Sequence, residues 1–261
     1  MPLLLKMGGL NCYMNETNIS WTEWTDEEGN KRKGFTWNPV SGCSKVSPGC
    51  AHCYAEAWSH RWNRSFEVTL HPEKLKEVKK IPSGAKVFVN SMSDLFHPAM
   101  MKDHSDYIVD IITAMESRPD VIFQILTKRP EAMIGWEFLP NVWLGVSVEM
   151  PQFVDRIEKL RHCGGNLYDR GPKIRFVSFE PLLADIGRVD LTMIDWIIIG
   201  GESGPHHRPM KLEWARNLVR QARDQGVAVW MKQLGSIRPG GNLEDFPEDL
   251  RIREFPKEAP V

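Results

Sequence analysis

The chain lacks any apolar run approaching the ~20 residues of a membrane helix, which excludes a helical membrane span. It has no excess of either charge. Its 33 basic and 34 acidic residues sum to −1, so it cannot coat nucleic acid by bulk electrostatics, and any such binding must come from a local basic groove. Low-complexity segments and short exact repeats are absent. The opening Met1–Met7 has neither a basic leader nor a long hydrophobic stretch, so it is a poor secretory signal and is read as a short extension. Cysteine is scarce and odd in number. The five, Cys12, Cys43, Cys50, Cys53 and Cys163, do not spread as a disulfide framework does, and three lie within eleven residues. That pattern points to a reduced, cytoplasmic setting and a ligand role.

What is present is an ordinary folding composition. Hydrophobic residues make up 42% and charged residues 26% of 261, which predicts a sizeable core rather than disorder. The length suits one α/β barrel and leaves two small domains open. Compact apolar runs rich in β-branched and aromatic residues predict strands at 87–89, 121–126, 142–146, 174–179, 196–199 and 227–231. Amphipathic stretches between them predict helices at 51–63, 103–116, 151–162 and 212–225. Strand followed by helix, repeated, implies parallel strands joined by helical crossovers, an α/β fold. The segment 236–261 is rich in proline, glycine and charge and should lie over the body as an irregular tail or cap.

Almost every apolar run is followed at once by polar groups. Asn90, Ser91, Ser93, Asp94 and His97 follow the first; Thr127, Lys128 and Arg129 the second; Ser147 and Glu149 the third. Glu180 follows the fourth, Gly200, Gly201, Glu202 and Ser203 the fifth, and Lys232 and Gln233 the sixth. Carboxyl ends of parallel strands share one face, and that face carries the site. Singly these residues read as turn formers and helix caps. Six consecutive occurrences, with the charges Lys128, Glu180, Glu202 and Lys232, predict a pocket.

The most informative segment is TWNPVSGCSKVSPGCAHCYAE, residues 36–56, in which Cys43, Cys50 and Cys53 are spaced C-x6-C-x2-C. Gly42, Pro48 and Gly49 bend the loop so that several thiolates can face one point, and glycines admit backbone N–H groups to sulfur. Soft thiolates select zinc or iron-sulfur. Zinc in a structural site needs a fourth ligand, for which His52, Cys12 and Cys163 are candidates. A 4Fe-4S cluster held by three cysteines leaves one iron open. Buried cysteines acting as small hydrophobes are the bland reading, and the spacing speaks against it.

The stretch GCAHCYA, residues 49–55, resembles the cluster loop of radical S-adenosylmethionine enzymes. Together with NSMSDLFH at 90–97, LTKRP at 126–130, SFEPL at 178–182 and GGESG at 200–204, the longer string resembles a phage-associated three-cysteine-motif family over roughly residues 20–235. That resemblance implies a partial parallel (βα) barrel in a single domain over 34–235, with an N-terminal extension over 1–33 and the tail from 236. It implies that Cys43, Cys50 and Cys53 ligate three irons of a 4Fe-4S cluster while S-adenosylmethionine chelates the fourth. An external electron donor would then drive sulfonium cleavage to a 5'-deoxyadenosyl radical that abstracts hydrogen from substrate.

Two departures stand out. The first cysteine gap is three residues longer than the usual C-x3-C-x2-C, and the aromatic position before the third cysteine holds His52, with Tyr54 the neighbouring aromatic. By resemblance, His52 and Tyr54 flank the adenine, Ser91, Ser93 and Asp94 take the methionine amino group, Lys128 pairs with its carboxylate, and Ser147 and Glu149 hold the ribose hydroxyls. Glu180, Glu202 and Lys232 are then the catalytic candidates facing substrate, with His206 and Gln233 beside them. The rival for each charged residue is a structural ion pair inside the barrel mouth.

Ten tryptophans is a high count, and Trp21, Trp24, Trp37, Trp58 and Trp62 crowd the first quarter near Lys31, Arg32, Lys33, Arg61 and Arg64. Exposed, they would stack bases while the cations neutralise phosphates; for any one of them core packing is the default. The lysine-rich stretch 72–80 reads as a helix-like solvated face. Spore photoproduct lyase, which acts on DNA, resembles the chain in general plan. The expected partners are a nucleic acid or nucleotide substrate, an electron donor and a protein encoded nearby, with no membrane. The alternative is a non-catalytic binding module stapled by zinc or an inert iron-sulfur site.

Overall fold

The computed structural model describes residues 15–164, 171–238 and 240–257, so Cys12 lies outside it. Strand β1 (Phe35–Trp37) leads through the cysteine loop into α1 (Tyr54–Arg61) and then β2 (Lys86–Val89). Helices α2 (Pro98–Asp103) and α3 (Ser105–Glu116) precede β3 (Ile122–Thr127) and β4 (Val142–Ser147). After α4 (Asp155–Arg161) come β5 (Arg175–Phe179), β6 (Trp196–Gly200), α5 (Leu212–Asp224) and β7 (Ala228–Gln233). The seven strands are neighbours in chain order, all parallel, and the sheet curls into half a barrel. The short strand Asn15–Glu16 adds an antiparallel edge to β1.

The structure corrects the predicted elements in four places. It adds β1, a three-residue strand hidden inside the cysteine motif, whose Trp37 is fully buried and donates through Nε1 to the Lys74 carbonyl at 2.9 Å. The helix expected from 51 starts only at Tyr54, because the loop consumes the residues up to Cys53. The helix expected over 103–116 starts at Ser105, and a separate short helix, Pro98–Asp103, precedes it. The stretch Pro72–Lys80 is a 3-10 helix that buries Glu77 and Val78, so it is not wholly a solvated face.

Strand registers fix which side chains look inward. Phe88 lies opposite Gln124, Gln124 opposite Trp143, Gly145 opposite Phe176, Phe176 opposite Trp196, and Ile198 opposite Trp230. Of these, Phe88, Trp143, Phe176, Trp196, Ile198 and Trp230, joined by Trp21 and Ile174, form one apolar cluster with Phe255 packed against it. The alternate positions, including Val87, Phe123, Leu144, Val177, Ile197 and Val229, join Ile108, Ile111 and Leu218 of the helices in the other core. Burial on both faces explains why the strands read as continuous apolar runs rather than alternating ones.

Trp196 is the centre of the inner cluster. Its ring lies 5.6 Å from Phe255, 5.7 Å from Phe176, 6.0 Å from Trp143, 6.1 Å from Trp230 and 6.3 Å from Trp21. Its Nε1 donates to the Glu254 carbonyl at 2.8 Å, which satisfies the ring's one donor. Gly145 is required beneath it, since a Cβ there would fall 2.4 Å from the Phe176 ring. Of the five early tryptophans, Trp21, Trp24 and Trp37 are core, while Trp58 and Trp62 are exposed. Around Lys31, Arg32 and Lys33, the neighbouring Trp24 is therefore buried, and Arg32 is paired with Asp26 at 2.7 Å.

Candidate functional site

Two residues further along the same inward face, the lining turns polar. Asn90 follows Phe88, Lys128 follows Leu126, Ser147 follows Gly145, Ser178 follows Phe176, and Lys232 follows Trp230. The half-barrel therefore has an aromatic floor and a charged mouth at the carboxyl ends of its strands, the face on which parallel α/β folds carry their sites.

The cysteine loop is fastened across this mouth. At its start, Asn38 Oδ1 accepts from the Met92 amide at 3.0 Å and from Ser91 Oγ at 3.1 Å, and the Gly42 amide donates to the Met92 carbonyl at 3.0 Å. Gly42 has φ +84°, and a Cβ there would overlap the Glu67 carbonyl, so only glycine makes this bend. Halfway along, Ser47 Oγ donates to Glu149 Oε1 at 2.6 Å. Gly49 sits so close that a Cβ would fall 2.5 Å from the same oxygen. The Pro48 carbonyl accepts from Arg208 Nη2 at 3.0 Å. At the end, His52 Nδ1 lies 3.0 Å from Glu202 Oε2, and α1 starts directly after Cys53.

Three buried carboxylates organise the strand ends. Asp94 has all four lone-pair directions in use: Oδ1 accepts from the Phe96 amide and Thr127 Oγ1, Oδ2 from the Lys128 amide and Arg129 Nη1. Arg129, thus held, lies with Nη1 3.6 Å from Cys43 Sγ and Nη2 2.8 Å from the Ser44 carbonyl. Glu149, wholly buried, takes Ser47 and Lys128 on one oxygen and Arg156 at 2.8 Å on the other. Burial alone would raise its pKa, but Lys128, Ser47 and Arg156 hold it below the ordinary carboxylate range. Glu202 is likewise buried. The Arg208 guanidinium and amide, with His52, overcome that burial and bring Glu202 down to about 2. The fourth pair, Glu180 with Lys232 at 2.5 Å, is more open to solvent.

Cys43, Cys50 and Cys53 are half-buried free thiols. Burial, then Asp94, push the Cys43 thiol up against the pull of Arg129. Any metal bound there must therefore displace a proton. Among the described residues no group of three or more His, Cys, Asp or Glu side chains is gathered to hold a single metal ion. Cys163 is remote from this loop in its bonding: it is buried, hydrogen-bonded to the Lys159 and Pro130 carbonyls, and pushed by burial up to about 11. The donor set is thus three thiols on one curved loop, with Cys163 engaged elsewhere and His52 tied to Glu202 through Nδ1. That chemistry fits a group which spreads its thiolates over separate irons better than one ion closed by four ligands. A cleft of about 530 Å³ opens beside Cys43, Ser44, Glu56, Phe66 and His97.

Residues 16–250 match the model of a family described as proteins of unknown function, DUF5131. The chain belongs to this family. A search of curated proteins gave no match. Among solved structures, a point mutant of spore photoproduct lyase shows a weak likeness, with TM-score 0.42 and 10% identity, over 72% of this chain and 61% of that one. The chain spans less than two thirds of that protein's length.

In this DUF5131 chain the residues singled out from sequence come together in pairs. Lys128 meets Glu149, Lys232 meets Glu180, and His52 meets Glu202. The Tyr54 hydroxyl donates to the Ser91 carbonyl, which joins α1 to the end of β2. Ser93 Oγ donates to the Val40 carbonyl at 2.9 Å. Ser147 is buried, with its carbonyl on Arg156. His206 lies with its ring 6.3 Å from His52, and Gln233 bonds the Gly201 carbonyl and Gly240 amide. Sequence reasoning gave no role to Asn38, Ser47, Arg129, Arg156 or Arg208. Asn38, Ser47 and Arg129 lie inside the motif strings, where they could have been found. Arg156 sits on α4 and Arg208 in a loop, and neither carries a local signal.

Proposed function

We propose that this DUF5131 chain is a radical S-adenosylmethionine enzyme. The observation that carries the proposal is a loop bearing three free thiols, fastened over the polar mouth of a parallel half-barrel. When bound, a 4Fe-4S cluster and S-adenosylmethionine supply one-electron cleavage of the sulfonium to methionine and a 5'-deoxyadenosyl radical, which removes a hydrogen atom from substrate.

The chain's own residues have distinct tasks in this reading. Cys43, Cys50 and Cys53 bind three irons, and Arg129 directs an N–H at the Cys43 sulfur. Ser91 and Ser93 hydroxyls, each already donating within the protein, keep lone pairs with which to accept from an ammonium. Asp94 has no acceptor capacity left, so it acts by orienting Arg129. Glu149 is sealed from solvent and acts by holding Ser47 and Lys128, rather than by touching ribose. Lys128 supplies positive charge for a carboxylate, and His52 and Tyr54 flank the loop. The partly open Glu180–Lys232 pair faces substrate, whereas Glu202, buried against Arg208 and His52, acts by orienting them.

Anaerobic reconstitution tests the reading. We expect a brown protein with roughly four irons and four sulfides per chain that releases 5'-deoxyadenosine when reduced, with both properties lost in Cys50→Ala. A colourless protein holding one zinc and cleaving no cofactor sinks it and leaves a stapled binding module.

A further inference from the structure

Eight large hydrophobic side chains are exposed among the described residues, and the three aromatic ones share one stripe. Tyr54, Trp58 and Trp62 follow at intervals of four, along α1 and the residue just past its end. On a helix that spacing stacks side chains on one face, about 6 Å apart along the axis. They are 58%, 47% and 60% exposed. The Trp58 and Trp62 ring centroids are 6.2 Å apart, and the Arg64 guanidinium lies 5.9 Å from the centre of the Trp58 ring. All other tryptophans of the first quarter are core, so this exposure is not general.

Charge decides the kind of occupant. Arg61 and Arg64 flank the rings, and among the described residues neither is in an ion pair. The acidic residue on α1, Glu56, is paired with Lys45 at 2.9 Å. The face is therefore aromatic and positive in a chain whose total charge is −1. Such a Tyr–Trp–Arg set can also anchor a protein partner, but two guanidinium groups outside any ion pair beside ring faces, with the acidic residue of the helix already neutralised, favour a polyanion whose phosphates meet the cations and whose unpaired bases meet the rings. The stripe also begins at the residue after Cys53 and is tied by the Tyr54 hydroxyl to the end of β2.

We propose that this stripe docks single-stranded nucleic acid beside the cysteine loop, with bases on Trp58 and Trp62 and phosphates on Arg61 and Arg64. A duplex keeps its base faces stacked internally and cannot use the rings. The inference deepens the enzymatic reading by naming its substrate class, and it rests on that reading only for the chemistry that follows docking.

The test titrates the full chain, without reconstitution, against oligothymidylate and oligouridylate of about 15 nucleotides, read by tryptophan fluorescence and anisotropy. Salt-sensitive binding is expected, weakened roughly 10-fold or more in the double variant Trp58→Ala/Trp62→Ala with unchanged circular dichroism. Arg61→Gln/Arg64→Gln should reduce the slope of log affinity against log salt by about 1.4. The tighter arm identifies DNA or RNA. Equal binding by the double tryptophan variant, preference for a duplex competitor, or no binding at low salt overturns the proposal. Self-association abolished by the same variant, without oligonucleotide binding, makes the face a protein interface and also overturns it. Binding that persists in a protein unable to assemble a cluster overturns the enzymatic reading alone.

Discussion

The floor and the mouth of the half-barrel are built by the same strands and the residues that leave their carboxyl ends, yet they have opposite chemistry. The floor is Phe88, Trp143, Phe176, Trp196 and Trp230, a set of interlocking rings. The mouth is Lys128, Glu149, Glu180, Glu202 and Lys232, tied into separate ion pairs. A few residues along each strand separate side chains that hold the sheet curled from side chains that hold a loop. Apolar burial is non-directional and tolerates no water, so it suits a sealed floor; charge pairs fix orientation at a cost in desolvation, so they suit a place where groups must be aimed.

The comparison can be broken at three points. The largest effect belongs to the floor. Trp196→Ala removes the ring touched by five others and should cost about 3–5 kcal/mol, seen as a lower urea midpoint with the thiols still titratable. A smaller loss there than at the mouth would reverse the assignment. Next comes acid. The Glu202 carboxyl is held from 4.5 down to about 2, so the stabilisation it gives is complete above its unfolded value and lost as pH falls toward about 2. The loss is on the order of 3 kcal/mol. Urea unfolding from about pH 5 to about pH 2 should show that decline, and Glu202→Gln should flatten it. The smallest effect on stability is expected for Lys232→Gln, whose pair with Glu180 is partly open to water: about 0–1 kcal/mol by thermal melting, with substrate turnover nonetheless lost. A loss as large as that of Trp196→Ala would make the pair a structural strut.

Much of this division was legible beforehand. Strands such as Trp196–Gly200 are compact, β-branched and buried on both faces, and their polar ends are visible as sequence. The strand Phe35–Trp37 was not visible, since three residues carry no periodicity of their own. The site was legible as a list of residues and not as pairings. That Glu149 grips Ser47, Lys128 and Arg156, rather than standing free, depends on where the loop crosses the strand ends. Asp94 reads as an acceptor awaiting a ligand until Thr127 and Arg129 are found occupying it. Such contacts span from seven to more than a hundred residues, and no local pattern records them.

The cork beneath the rings has a temporal consequence. Trp21 and Phe255 come from opposite ends of the described chain and both close on Trp196, while Lys86 caps the Phe255 ring at 3.5 Å. A nascent polypeptide can assemble its outer helices early but cannot shut this interior until the segment around Phe255 has emerged from the ribosome. Until then the ring cluster stays unfinished and open to water.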